Sequence, residues 1–329
     1  MRRTTLLLFV AIAAAVPAKL KLPLQPKSVR FAVIGDSGTG GKPQYQVAEE
    51  MAAFHAVFPF DFVIMLGDNL YGREGPDDFR RKFEVPYRPL LDAGVKFYAS
   101  LGNHDRPSER FYKPLNMDGK RYYTFRRGVV QFFALDSNYM DPVQLEWIDK
   151  ELSASDAPWK ICFFHHPLYS HGGMHGSDVD LRGQLEPIFE RRRVSVVFSG
   201  HDHVYERLTQ QNGICYFVLG SSGQLRPHGL KSSKQTAAGF DTDRVFELVE
   251  IAGDELYFQT ISRKGETVDS GSLARRRVPD ASAARAPRLQ TCDLLFTAKL
   301  NSAKLRVQAI QLQQFFVPAA LDNRALFDY

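Results

Sequence analysis

Residues 29–38 read Val-Arg-Phe-Ala-Val-Ile-Gly-Asp-Ser-Gly, an apolar run broken only by Arg30 and stopped at Gly35-Asp36. The same pattern returns four times. Phe62–Leu66 runs into Gly67-Asp68-Asn69-Leu70-Tyr71, and Val95–Leu101 runs into Gly102-Asn103-His104-Asp105. Ile161–Phe164 leads to His165-His166-Pro167, and Val194–Phe198 leads to Ser199-Gly200-His201-Asp202-His203. Short runs that are apolar at nearly every position predict strands buried on both faces. Between them lie helical stripes, Val47, Met51 and Phe54 in one and Leu145, Ile148 and Leu152 in another. Tyr122–Phe125 with Val129–Leu135, and Val245–Ile251 with Leu256–Ile261, predict two hairpins. The expected fold class is α/β: a four-layer αββα-type sandwich of two mixed sheets flanked by helices.

Polar residues stand just after each predicted strand. In open α/β sheets ligands bind beyond the carboxyl ends of the strands, so five loops would converge on one site. Composition agrees with an ordinary globular protein: 329 residues, 44% hydrophobic and 24% charged, which excludes disorder, collagen and coiled coil for the bulk. The net charge of +5 does not demand nucleic acid, and it favours an anionic small ligand. Cys162, Cys215 and Cys292 are too few for a disulfide framework; one disulfide with a free thiol, or none, are both open. Six histidines (His165, His166, His171, His175, His201 and His203) crowd into one stretch of the chain.

The chain begins with Arg2-Arg3, an 11-residue apolar run from Leu6 to Val16, and the small-residue end Val16-Pro17-Ala18. That run is too short to span a bilayer. The arrangement predicts a signal peptide over 1–18 and a protein exported to the periplasm or the extracellular space, with no stable membrane anchor after cleavage. Residues 19–28 carry Pro23 and Pro26 and read as a linker. The catalytic domain is expected over 29–279. Residues 280–329 form a C-terminal extension whose apolar period fits neither helix nor strand cleanly, and no role is assigned to it. The sequence gives no oligomeric state.

The five loops supply Asp36, Asp68, Tyr71, Asn103, His165, His201 and His203, a hard-donor and imidazole set suited to metal ions. In this order the blocks GD-x-G, GD-x-x-Y, GNH-D, strand-His and GH-x-H resemble the metallophosphoesterase superfamily, and within it the purple acid phosphatases of the tartrate-resistant type. The resemblance spans Asp36 to His203 and implies the calcineurin-like phosphoesterase fold. Many other members of the superfamily carry D-x-H in the first block. Here that third position is Gly38, and Tyr71 can take the vacated place. The resemblance implies a dinuclear centre of Fe(III) plus a divalent metal (Fe, Zn or Mn). One metal would take Asp36, Tyr71 and His203, the other Asn103, His165 and His201, with Asp68 bridging. His166 is expected to pack away from the metals.

The resemblance implies hydrolysis of a phosphate monoester by attack of a metal-bound hydroxide, in the manner of an acid phosphatase. A phosphodiesterase or nucleotide phosphohydrolase using the same centre is the alternative, and a non-catalytic metal-binding or interaction protein is a third. His104, next to Asn103, is the candidate general acid, and Asp105 could orient it. His175, on the Gly-rich loop 170–177, is the candidate substrate contact, ahead of His171. Glu206-Arg207 reads as support for the last loop. Neither Ser221 nor Cys162 has a visible triad partner, so covalent catalysis is not expected.

Overall fold

Two sheets face each other, and both send the carboxyl ends of their parallel strands to the same edge. The computed structural model describes residues 19–276. The predicted leader 1–18, the extension 280–329 and Cys292 lie outside the described residues. In the first sheet β1 (Val29–Ile34), β2 (Phe62–Met65) and β3 (Lys96–Ala99) run parallel. On the other side of β1 the sheet continues antiparallel through β11 (Val245–Ala252), β12 (Glu255–Ser262) and β13 (Thr267–Ala274).

The second sheet has the order β10-β8-β9-β7-β6-β5-β4. Its parallel core is β5 (Val130–Ala134), β6 (Trp159–Phe163), β7 (Val196–Ser199) and β9 (Cys215–Leu219). The flanking strands β4 (Tyr123–Arg127), β8 (Tyr205–Leu208) and β10 (Thr236–Phe240) pair antiparallel. Both predicted hairpins form, as β4–β5 and β11–β12. Strands β8, β10 and β13 were not anticipated.

The sheets are held by an aromatic interior. Phe31 of β1 stacks on Phe62 of β2 and meets Phe132 of β5 edge-on, both at 5.2 Å between ring centres. All three rings are fully buried, and each such side chain contributes roughly 1.5–3 kcal/mol by leaving water. On the outer face of the first sheet, α1 (Lys42–His55) buries Val47, Met51 and Phe54, the stripe expected of it. Two short helices, α2 (Pro76–Phe79) and α3 (Arg88–Asp92), follow β2.

On the outer face of the second sheet, α4 (Pro142–Ala154) and α5 (Val179–Arg192) cover Phe133, Cys162, Val197 and Val218 with Ile148, Leu152, Leu185 and Phe189. Each of these helices starts at an aspartate whose carboxylate accepts an orphan backbone N–H: Asp141 from Gln144 at 2.8 Å, and Asp178 from Leu181 at 2.9 Å. Cys162 and Cys215 are buried free thiols. Among the described residues no helix is long and apolar enough to cross a membrane.

Residues 19–28 contain no strand or helix, yet they are tied to the first sheet. The amides of Leu24 and Gln25 and the hydroxyl of Ser28 all donate to Glu250, and the amide of Lys21 donates to Gln259 at 2.8 Å. Leu22 is buried in the core.

Candidate metal centre

Three of the five loops that carry the expected ligands leave their strands through a left-handed residue. Asp36, Asp68 and His201, which follow β1, β2 and β7, have φ of 53°, 50° and 69°, the left-handed region that residues with a side chain rarely occupy. Backbone strain of this kind persists only where surrounding contacts hold it. Here the loops hold one another. The amide of Asp36 donates to the Gly67 carbonyl (3.1 Å), and the amide of His201 donates to Asp36 Oδ2 (2.9 Å). Neighbouring glycines make the approach possible: a Cβ on Gly200 would stand 2.4 Å from Asp36 Oδ2, and one on Gly102 would stand 2.2 Å from Asp68 Oδ1.

Gly38 is required by the packing of the first loop against the second. A Cβ there would meet the Asn69 carbonyl oxygen at 1.7 Å, and the Gly38 carbonyl accepts the Tyr71 amide at 3.0 Å. The absent side chain lets the second loop close on the first and aims Tyr71 inward. Tyr71 Oη lies 3.2 Å from Asp36 Oδ1 and 3.2 Å from His203 Nε2. His203 Nε2 is 3.4 Å from Asp36 Oδ1. Asp36, Asp68 and His203 bring one donor atom each within 4.8 Å of the others.

The second set forms beside the first. His165 is fully buried, and its Nδ1 donates to the Leu66 carbonyl at 2.9 Å, which leaves the lone pair on Nε2. That nitrogen faces Asn103 Oδ1 at 2.9 Å, His201 Nδ1 at 3.1 Å and Asp68 Oδ1 at 3.5 Å. Asp68 therefore reaches both groups, as a bridging carboxylate must. His165, His166 and His201 also gather within 4.8 Å of one another. His166 does not turn fully away: its ring centre is 4.4 Å from that of His201, while Nδ1 pairs with Ser137 Oγ at 2.8 Å. The alternation that would separate His165 from His166 ends with β6 at Phe163.

The electrostatics of this arrangement call for a cation. Asp36 and Asp68 are buried, and among the described residues neither has a lysine or arginine within 4.0 Å. Burial first, and then the charge of Asp68, pushes the Asp36 carboxyl well above the usual range. Burial pushes the Tyr71 phenol up in the same way, with Asp36 and Asp68 adding to it. The histidines move the other way. Burial lowers His165 strongly, takes His201 to about 2 and, helped by the Arg226 charge, takes His203 to about 4. All three are then neutral at ordinary pH, the form that binds metal. Converging lone pairs, paired buried carboxylates and neutral imidazoles fit two metal ions.

The expected catalytic residues fall in different places. His104 is exposed at the rim, its amide donating to Asp68 Oδ1 (3.0 Å) and its ring centre 4.9 Å from that of Tyr71. His175 is also exposed, with its ring centre 4.0 Å from that of His201. Asp105 does not face the His104 ring. Its oxygens accept from the amides of Gly102 (2.8 Å) and Leu70 (3.0 Å) and from Asn69 Nδ2 (2.8 Å), so its lone pairs join two loops. His171 is clamped by Glu206, which takes its amide at 2.8 Å and its Nδ1 at 2.7 Å. A cavity of about 770 Å³ adjoins the centre, lined by Asn103, His166, Asn138, Tyr139 and Arg121 among others.

Residues 29–205 match the calcineurin-like phosphoesterase family. Purple acid phosphatase 7 of Arabidopsis thaliana is 28% identical over 304 residues, covering 78% of this chain and 90% of that protein. Tartrate-resistant acid phosphatase type 5 of Rattus norvegicus is 25% identical over 303 residues, covering 77% and 92%. Among solved structures, a purple acid phosphatase from yellow lupin seeds superposes with a TM-score of 0.62 at 20% identity, over 75% of this chain and 54% of that one. GAP50, titled the anchor in the inner membrane complex of Plasmodium, superposes with a TM-score of 0.65 at 21% identity, over 76% and 90%. The sandwich and the match across its five loops have one reading: the chain belongs to the calcineurin-like phosphoesterase family.

Proposed function

We propose that the protein is an exported phosphomonoesterase of the purple acid phosphatase type, working with Fe(III) and a divalent metal. The observation that carries this reading is Tyr71 Oη set 3.2 Å from both Asp36 and His203. A phenolate with a carboxylate makes an anionic, oxygen-rich pocket that favours a trivalent ion over a divalent one. When bound, the two metals would supply an activated water and a charge clamp for the phosphoryl oxygens.

The residues of the chain do the rest. Asp36, Tyr71 and His203 would hold one ion, Asn103, His165 and His201 the other, with Asp68 shared. His104, exposed at the rim and tied to the proposed ligands only through its amide, would hand a proton from its ring to the departing alkoxide oxygen. His175, against His201, would contact the phosphoryl group. The cavity beside Asn103 and His166 gives the leaving group room. Export rests on the leader 1–18.

The test is purified, iron-loaded protein with p-nitrophenyl phosphate and with the bis-p-nitrophenyl ester, alongside a visible spectrum. Faster monoester turnover and a broad visible band that Tyr71→Phe abolishes are expected. A colourless, iron-loaded and active wild type would remove the purple acid phosphatase reading. A preference for the diester would replace the monoesterase assignment.

A further inference from the structure

Among the described residues one cation beside the candidate centre, Arg226, has no ion pair and a buried Nε without a hydrogen-bond partner. The segment 220–226 is threaded between the loops that carry Asp36 and His203. The amide of Ser222 donates to the Gly35 carbonyl (3.1 Å), that of Gln224 to the Asp36 carbonyl (3.0 Å), and that of Arg226 to the His203 carbonyl (2.9 Å). The fit is close enough that a Cβ on Gly220 or Gly223 would stand 2.0 or 2.2 Å from the carbonyl oxygen of Asp202 or Ser37. Arg226 is therefore fixed at the border of the candidate centre by the same backbone that positions two ligands.

Its side chain is half-buried, and Nε is shut off from water without a hydrogen-bond partner. Among the described residues the guanidinium has no carboxylate within 4.0 Å and no hydrogen bond. Asp202, the acid closest in sequence to His203, is already occupied: it accepts from Ser170 Oγ (2.6 Å) and from the amides of Gly176 (3.0 Å) and His175 (3.3 Å). The positive charge of Arg226 acts in the direction that lowers both His203 and His175. A desolvated donor with no partner is costly to keep, and a guanidinium binds oxyanions through paired, charge-assisted hydrogen bonds.

We propose that Arg226 is a substrate-binding residue that takes a terminal phosphoryl oxygen and thereby selects phosphate monoesters over diesters. A monoester offers three terminal oxygens and close to two negative charges above pH about 6. A diester offers two such oxygens and one charge. An extra cation at the rim of a two-metal centre thus favours the monoester. This specificity rests on the phosphoesterase reading given above; the binding of phosphate by Arg226 does not.

The test uses the metal-loaded full chain, Arg226→Ala and Arg226→Lys, with metal content and melting temperature measured for each. Inorganic phosphate binding is followed by calorimetry, without turnover. In Arg226→Ala the dissociation constant should rise about tenfold or more, with both metals retained, and Arg226→Lys should recover part of the loss because it keeps the charge without the fork. The ratio of kcat/KM for p-nitrophenyl phosphate to that for the bis ester should fall about tenfold in Arg226→Ala, through KM more than kcat. Unchanged phosphate binding with the metals in place overturns the proposal. Weakened phosphate binding with an unchanged ratio overturns the specificity half. A wild type that binds phosphate through Arg226 but turns over no monoester defeats the proposed function and leaves the binding role standing.

Discussion

The backbone amide of His201 donates to Asp36 Oδ2 at 2.9 Å, so two of the proposed metal ligands, one from each sheet, are fastened directly to each other. The carboxylate has two jobs, and they can be separated. Asp36→Asn keeps an oxygen acceptor for the amide and loses the charge. It should fold with a melting temperature within a few degrees of the wild type while its metal content falls towards one ion per chain. Asp36→Ala also loses a hydrogen bond to a charged group and should cost about 1.5–3 kcal/mol of stability. Elemental analysis with calorimetry reads both, and Asp36→Ala retaining two ions would remove Asp36 from the ligand set.

Asp105 accepts from two backbone amides and from Asn69. Asp105→Ala strands those donors, at roughly 1–3 kcal/mol for each buried one. Asn103 and Asp68 should lose their register, so metal affinity and turnover fall together. If the role were only to orient His104, metal content would stay intact; that result would restore Asp105 as a partner of the acid.

His104 touches the ligand cluster through its amide, which alanine retains. His104→Ala should keep both metals and lose turnover by about 10²–10⁴-fold, the range for a general acid. The loss should be much larger on an alkyl phosphate than on p-nitrophenyl phosphate, because a nitrophenolate leaves with little need of a proton. Equal losses on both would assign His104 to charge stabilisation or phosphate binding and send the search for the acid to His175.

Glu247 is fully buried on β11, with Thr260 Oγ1 donating to one oxygen and the other left without a partner. Burial raises its pKa from 4.5 to about 8. Below pH 4.5 the folded and unfolded chains both hold the proton. As pH rises from there to about 8 the unfolded chain gives it up and the folded chain keeps it, so stability is lost across that window. Glu247→Gln imitates the protonated form. Compared with the wild type, it should be near neutral at pH 5 and more stable at pH 9, by on the order of 5 kcal/mol. Denaturant titrations at the two pH values decide it; a stability difference independent of pH would mean that Glu247 does not carry the proton.

The parts legible in the sequence were those where one local rule decides. An apolar run closed by Gly-Asp marked β1 and β2, and the sequence blocks brought Asp36, Tyr71 and His203 to one place, where the structure gathers them. What escaped depends on pairing over distance. Strand β13 reads Thr-Val-Asp-Ser-Gly-Ser-Leu-Ala, with no apolar run, and it exists because β12 offers it a ladder. Asp105 follows His104 in the chain, so it reads as a partner of that ring; its lone pairs are spent on two loops that only the folded chain brings together. Arg226 lies on a loop with no motif around it, and the segment 19–28, which looks like a prolyl linker, is fastened by Glu250, more than 200 residues away.

The left-handed backbone at Asp36, Asp68 and His201 bears on whether the fold depends on its metals. These bends are imposed by interleaved glycines and cross-loop amides, and none of those contacts needs an ion. A metal-depleted chain is therefore expected to keep its fold, which circular dichroism before and after chelation would read. The same rigidity lets one pocket outlive its contents. Exchange of one divalent ion for another at the proposed Asn103–His165–His201 place would need no rebuilding of the loops, so availability would bear on that choice as much as the protein.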